Sequence, residues 1–169
     1  MQEKSIKQYE KRTKTPEQAL SSLMRLASRA EKSSGDAMRL MRTWGVDEHE
    51  RPKVLRELIK QGFIDDRRYA HAYVREKSRL NGWGARKIAT MLRSKGISKD
   101  IIETALSQID GGAAKDKLLK MMERKAAGTK YENAYQLKGK LLRYGLSLGY
   151  DYDDVMAAVE QTVSILVTE

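Results

Sequence analysis

The stretch "IATMLRSKGISKDIIETAL" (88–106) decides the fold, because it occurs in outline two further times. Upstream, "AMRLMRTWGV" (37–46) lays Leu40 on Met91, Met41 on Leu92, Arg42 on Arg93, Gly45 on Gly96 and Val46 on Ile97. Downstream, "LLRYGLSLGYDYDDVMAAV" (141–159) lays Leu141 on Ile88, Gly149 on Gly96, Tyr150 on Ile97, Val155 on Ile102 and Val159 on Leu106. Each copy reads as a helix, a glycine that turns the chain, and a second helix, with a further helix before the pair. The spacing of roughly 50 residues marks an array whose units bury apolar faces on one another. The expected architecture is all-α: three tandem three-helix, helix-turn-helix-like repeats in an elongated curved array. The expected boundaries are a loose basic tail over 1–14 and repeats over 15–63, 64–109 and 110–169.

Local signals agree with helices throughout. Leu20, Leu23, Met24 and Ala27 form one stripe, introduced by "TPEQ", where Thr15 can cap, Pro16 suits the first helical position and Gln18 can complete a capping box. No sustained period-two alternation occurs, so strands are not expected. Glycines at 45, 62, 96 and 149, among others, punctuate the helices.

Composition excludes several function classes. No cysteine is present, and His49 and His71 are the only histidines, so thiol chemistry is absent and imidazole metal sites are poorly supplied. No phosphate-cradling glycine loop and no nucleophile elbow occurs, so neither a cofactor nor an enzymatic activity is expected. The polar start and the lack of a long apolar run point to a soluble, cytoplasmic protein with no membrane contact.

The net charge of +10 is unevenly spread. Residues 67–99 hold ten basic side chains against the single acid Glu76, whereas 15–66 balance at nine of each sign and 100–169 carry nine bases and eleven acids. On a helical wheel Tyr69, Ala70, Tyr73 and Leu80 make an apolar stripe, and Arg68, His71, Arg75 and Arg79 face away from it. The following helix puts Ile88, Met91 and Leu92 on one side and Arg86, Thr90 and Arg93 on the other, with Lys87 beside them. Two consecutive faces that lack acids suit a polyanion such as nucleic acid; a purely solvated face normally mixes signs. Arg68, Arg75, Arg79, Arg86, Lys87, Arg93 and Lys95 are the candidate contacts.

Between the first two repeats stands "GFIDDRRYA" (62–70). Gly62 takes the position of a left-handed helix end, Phe63 and Ile64 plug the seam, and Asp65 or Asp66 caps the next helix. A metal site built on the two aspartates lacks further ligands nearby. "DYDD" (151–154) is likewise read as a helix start, matching "SKDI" (98–101) with its capping Ser98. Trp83 in "NGWG" (81–84) is either a base-stacking platform or, as favoured, an apolar plug in a tight turn.

The run 62–106 resembles the RecX family, the regulators of RecA recombinase. The residues that carry the resemblance are Gly62, Phe63, Ile64, Asp65, Asp66, Arg68, Tyr69, Ala70, Tyr73, Gly84, Ile88, Leu92, Lys95, Gly96, Ile97 and Ile102. Residues 19–41 are similar to the family's opening segment, with Arg29 and Ser33 in place, and the third repeat matches through "GYDYDDV". One departure is "VDEHERPKV" (46–54), about three residues longer than the equivalent turn of the second repeat. The resemblance implies a cytoplasmic, non-enzymatic regulator of DNA repair, recombination and the SOS response. Such a protein binds along the RecA–DNA filament, contacts single- and double-stranded DNA by the backbone, and damps strand exchange and ATPase; it is expected to be monomeric. The first alternative is a non-specific DNA-binding helical repeat protein without a recombinase partner, and two other readings stand beside it. A sequence-specific helix-turn-helix regulator needs a base-reading helix, which the nearly neutral "SKDIIETALSQ" does not offer. A scaffold whose charge serves solubility alone would not bind DNA.

Overall fold

The computed structural model describes residues 13–168. Among them run nine α-helices and no strand: α1 (Pro16–Arg29), α2 (Ser34–Thr43), α3 (Arg51–Lys60), α4 (Asp66–Arg79), α5 (Ala85–Ser94), α6 (Lys99–Leu106), α7 (Gly111–Ala127), α8 (Ala134–Ser147) and α9 (Tyr152–Thr168). They fall into three consecutive triplets, each around its own apolar cluster. Leu23, Met41, Leu58 and Ile64 centre the first, Val74, Ile88 and Leu92 the second, and Leu118, Met122, Leu141 and Val155 the third. Removing these side chains from water is the main driving force for each cluster. The chain divides into two compact units, one ending at Asp66 and the other beginning at Arg67 and holding the second and third repeats.

The helix ends follow the sequence closely. Thr15 and Gln18 form the expected capping box with Pro16 inside the first turn, and Ser33 with Asp36 forms a second box. The repeated glycines all have left-handed backbones, φ 68° at Gly45, 77° at Gly96 and 88° at Gly149. After them the Val46 N–H donates to Met41 O at 3.0 Å and the Ile97 N–H to Leu92 O at 3.2 Å. This closes each helix end and delivers Val46 and Ile97 into the cores. The glycine–apolar pair is therefore one device in the first two repeats, and in the third the left-handed Gly149 is likewise followed by a buried residue, Tyr150. The extra residues at 47–50 form a turn in which Asp47 accepts the His49 N–H at 2.9 Å, and α3 resumes with Val54 and Leu58 buried.

Several expectations are corrected. Phe63 and Ile64 belong to the first repeat's own core, Ile64 being only 1% exposed. Asp66 is the first residue of α4, and its carboxylate accepts the Ser34 N–H at 2.8 Å, so it serves the start of α2. Leu80 is 80% exposed, because α4 ends at Arg79 and the wheel does not extend beyond it. Ser98 sits at the start of α6 without bonding its backbone; its hydroxyl donates to Asp100 at 2.6 Å and holds that carboxyl below its usual range. Of the tail over 1–14, residues 1–12 lie outside the described residues. Lys14 donates its N–H to Trp44 O at 2.9 Å and its ammonium to Ser22 at 2.8 Å, so it is joined to the first repeat.

Gly62 is left-handed, φ 76°, with nothing within 4 Å of an added Cβ. Gly62→Ala is expected to cost about 1 kcal/mol, the backbone strain alone, measured by urea unfolding.

Candidate polyanion-binding surface

Helix α4 buries Tyr69, Ala70 and Val74 and leaves Arg68, Arg75 and Arg79 exposed. Tyr69 and Tyr73 stack at 5.9 Å between ring centroids and stiffen the buried side. Burial pushes the Tyr73 phenol upward, keeping it neutral. Lys77 does not join the outward stripe: its ammonium bonds Glu76 at 2.7 Å and lies 5.3 Å from the Tyr73 ring and 5.4 Å from the Trp83 ring. That hydrogen bond to Glu76 is the main cause holding the Lys77 ammonium above its ordinary range. Lys87 also covers Trp83, at 4.4 Å. Trp83 packs against the second core under these two cations, which is the plug and not an open platform.

The start of α5 is held by the third repeat. Gly84 donates its N–H to Leu148 O at 2.7 Å and Arg86 its N–H to Gly149 O at 3.1 Å, so carbonyls from the end of α8 satisfy the first-turn donors of α5. The approach is close enough that a Cβ on Gly84 would lie 2.4 Å from Gly149 O. Two candidate contacts serve this joint: Arg86 pairs with Asp151 at 2.5 Å, and Lys87 donates to Ser147 O at 3.3 Å. Asp154 pairs with Lys115 at 3.0 Å, so two acids of "DYDD" have cationic partners. Among the described residues no cluster of three or more His, Asp or Glu is placed to hold a metal. Both side chains of the Arg86–Asp151 pair are mostly exposed, 74% and 63%. Asp151→Asn is therefore expected to cost under about 1 kcal/mol, and less at high salt, by urea unfolding.

The remaining candidates divide by engagement. Arg75, Arg79 and Arg93 are exposed and have no ion pair among the described residues; Arg68 is exposed and Lys95 half-buried. Guanidinium groups so placed match phosphate oxygens in charge and geometry. The cationic surface also continues where the sequence reading did not place it. Lys117 donates its ammonium to Arg79 O, and Leu80, Lys117, Lys120, Met121 and Arg124, with the one acid Asp116 among them, line an opening of about 540 Å³ beside the α4–α5 turn. The signal was the helical spacing of 117, 120 and 124, hidden in a segment whose acids outnumber its bases.

Residues 65–106 match the family model described as "RecX, second three-helix domain". A protein of Clostridium botulinum (strain Eklund 17B / Type B) named "Regulatory protein RecX" is 34% identical over 122 residues, 71% of this chain and 57% of that one. The namesake from Mycobacterium sp. (strain JLS) is 28% identical over 151 residues, covering 88% of this chain and 82% of that one. The match thus spans little more than half the length of the clostridial relative. The structure described as "Crystal structure of RecX from Lactobacillus salivarius" superposes with a TM-score of 0.76 at 20% identity, over 87% of this chain and 96% of that one. A second, "Crystal structure of regulatory protein RecX", gives 0.79 at 21% identity, over 86% and 73%. These two likenesses carry the all-helical fold. No described helix is long and apolar enough to cross a membrane.

Proposed function

We propose that the chain is a member of the RecX family that binds the RecA–DNA filament in the cytoplasm and damps the recombinase's ATPase and strand exchange during DNA repair. It acts as a monomer, without enzymatic activity or cofactor. The observation that carries this reading is the exposure of Arg75, Arg79 and Arg93 within 65–106, none of which has an acidic partner among the described residues. They reach DNA phosphates, Arg68 and Lys95 contribute beside them, and Lys117, Lys120 and Arg124 extend the track. Arg86 and Lys87 act indirectly, by fixing α5 against the third repeat. Such contacts follow the backbone of single and double strands alike and carry no base sequence. Helix α6 holds Asp100 and Glu103 and is unsuited to a major groove.

Retention on labelled single strands, naked or coated with RecA, tests the reading. At physiological salt the coated strand is expected to hold the protein after the naked strand has released it. Equal release from both would leave a general DNA binder with no recombinase partner.

A further inference from the structure

Helix α8 carries a second, unassigned surface. Its buried side is Leu137, Leu141 and Gly145. On the opposite side Tyr135, Gly139, Leu142 and Leu146 follow at intervals of four, three and four residues, which places them along one line of the helix. Tyr135 is 88% exposed and Leu146 42%, and Leu142 is half-buried against the third core. At 1.5 Å per residue this line is about 16 Å long. Gly139 lies in the middle of it, and a Cβ there would meet only the Arg143 guanidinium, at 3.9 Å. A glycine inside a helix weakens that helix, and no internal packing here requires one. Its use is external: it lets another surface approach the helix backbone closely. Lys138 and Arg143, both exposed and without an ion pair among the described residues, flank the line.

We propose that the outer face of α8 docks into an apolar groove rimmed by carboxylates on the recombinase, with Tyr135, Leu142 and Leu146 as anchors, Gly139 as the point of closest approach, and Lys138 and Arg143 pairing with the acidic rim. The proposal rests on the filament-binding reading above and adds a protein contact to its DNA contacts. Anchors spaced by one and two turns are how an amphipathic helix fills a groove, and the flanking cations set the sign of the partner. Apolar anchors one after another along a line favour a protein over nucleic acid, whose phosphates would need cations there instead.

Gly139→Leu separates this role from a structural one, because it strengthens the helix while filling the point of approach. Its Tm is expected to be unchanged or raised, while half-maximal binding to RecA filaments shifts at least tenfold to higher concentration. The pair Lys138→Glu and Arg143→Glu is expected to give a similar shift that shrinks at high salt. Unchanged filament affinity in both variants overturns the proposal, with the filament reading intact if the wild-type chain still binds. An equal loss on naked oligonucleotide overturns it in favour of nucleic acid. A wild-type dimer in sedimentation that Gly139→Leu abolishes overturns it in favour of a second copy. If the wild-type chain binds no filament at all, the reading beneath it fails, and the docking face with it.

Discussion

Gly149→Ala is expected to lower the unfolding free energy of the unit beginning at Arg67 by about 3 kcal/mol. Its φ of 88° is a backbone state that costs an alanine about 1–2 kcal/mol. The added Cβ would also lie 2.5 Å from Lys87 N and 2.3 Å from Lys87 Cβ. Backbone cannot swing aside as a side-chain end can, so α5 must part from the end of α8. The bonds from Gly84 and Arg86 to Leu148 and Gly149 then lengthen, each worth about 1 kcal/mol. Gly84→Ala isolates the contact from the strain, since Gly84 has an ordinary extended backbone, φ −79°, and differs only in the closeness of Gly149. Urea unfolding of the three glycine variants orders them: Gly149→Ala most damaged, Gly84→Ala next, Gly62→Ala least. A Gly149→Ala loss no larger than that of Gly62→Ala would mean that the second and third repeats are not held together at this joint.

The triple reversal Arg75→Glu, Arg79→Glu and Arg93→Glu is expected to weaken binding to random single-stranded DNA at least a hundredfold at low salt, where the naked strand still holds the unaltered protein. The slope of log K against log salt should fall by about 2, since each lost phosphate contact removes about 0.7 on single strands. All three side chains are exposed and outside the cores, so helicity and Tm should hold. Arg86→Glu is the informative contrast. Its guanidinium is held by Asp151, so the reversal should change the slope little and perturb the joint instead. An unchanged slope in the triple variant would remove the second repeat from the DNA contact.

Much of the fold was legible because it rests on short-range rules. A left-handed glycine followed by a buried apolar residue is visible at 45–46, 96–97 and 149–150, and the Thr15 box at the start of α1 needs only four consecutive residues. What escaped depends on partners distant in sequence. Nothing near Asp66 announces Ser34, 32 positions earlier, and nothing near Arg86 announces Asp151, 65 positions later. The candidate surface was accordingly half legible. Its arginines stand out as a charge excess, but two of the chosen cations are turned to the joint with the third repeat. Lys117, Lys120 and Arg124 were lost in the opposite way, since a segment total averages their face with the acids of 151–154. Leu80 failed for a plainer reason: a wheel assumes a helix, and α4 has already ended.

The most direct test is the DNA-dependent ATPase of RecA from the same organism, titrated with this protein from well below one copy per recombinase. Inhibition complete at a small fraction of one copy is expected, because a few bound molecules then act on whole filaments. No inhibition up to equimolar protein, with DNA binding still present at the same salt, would contradict filament regulation.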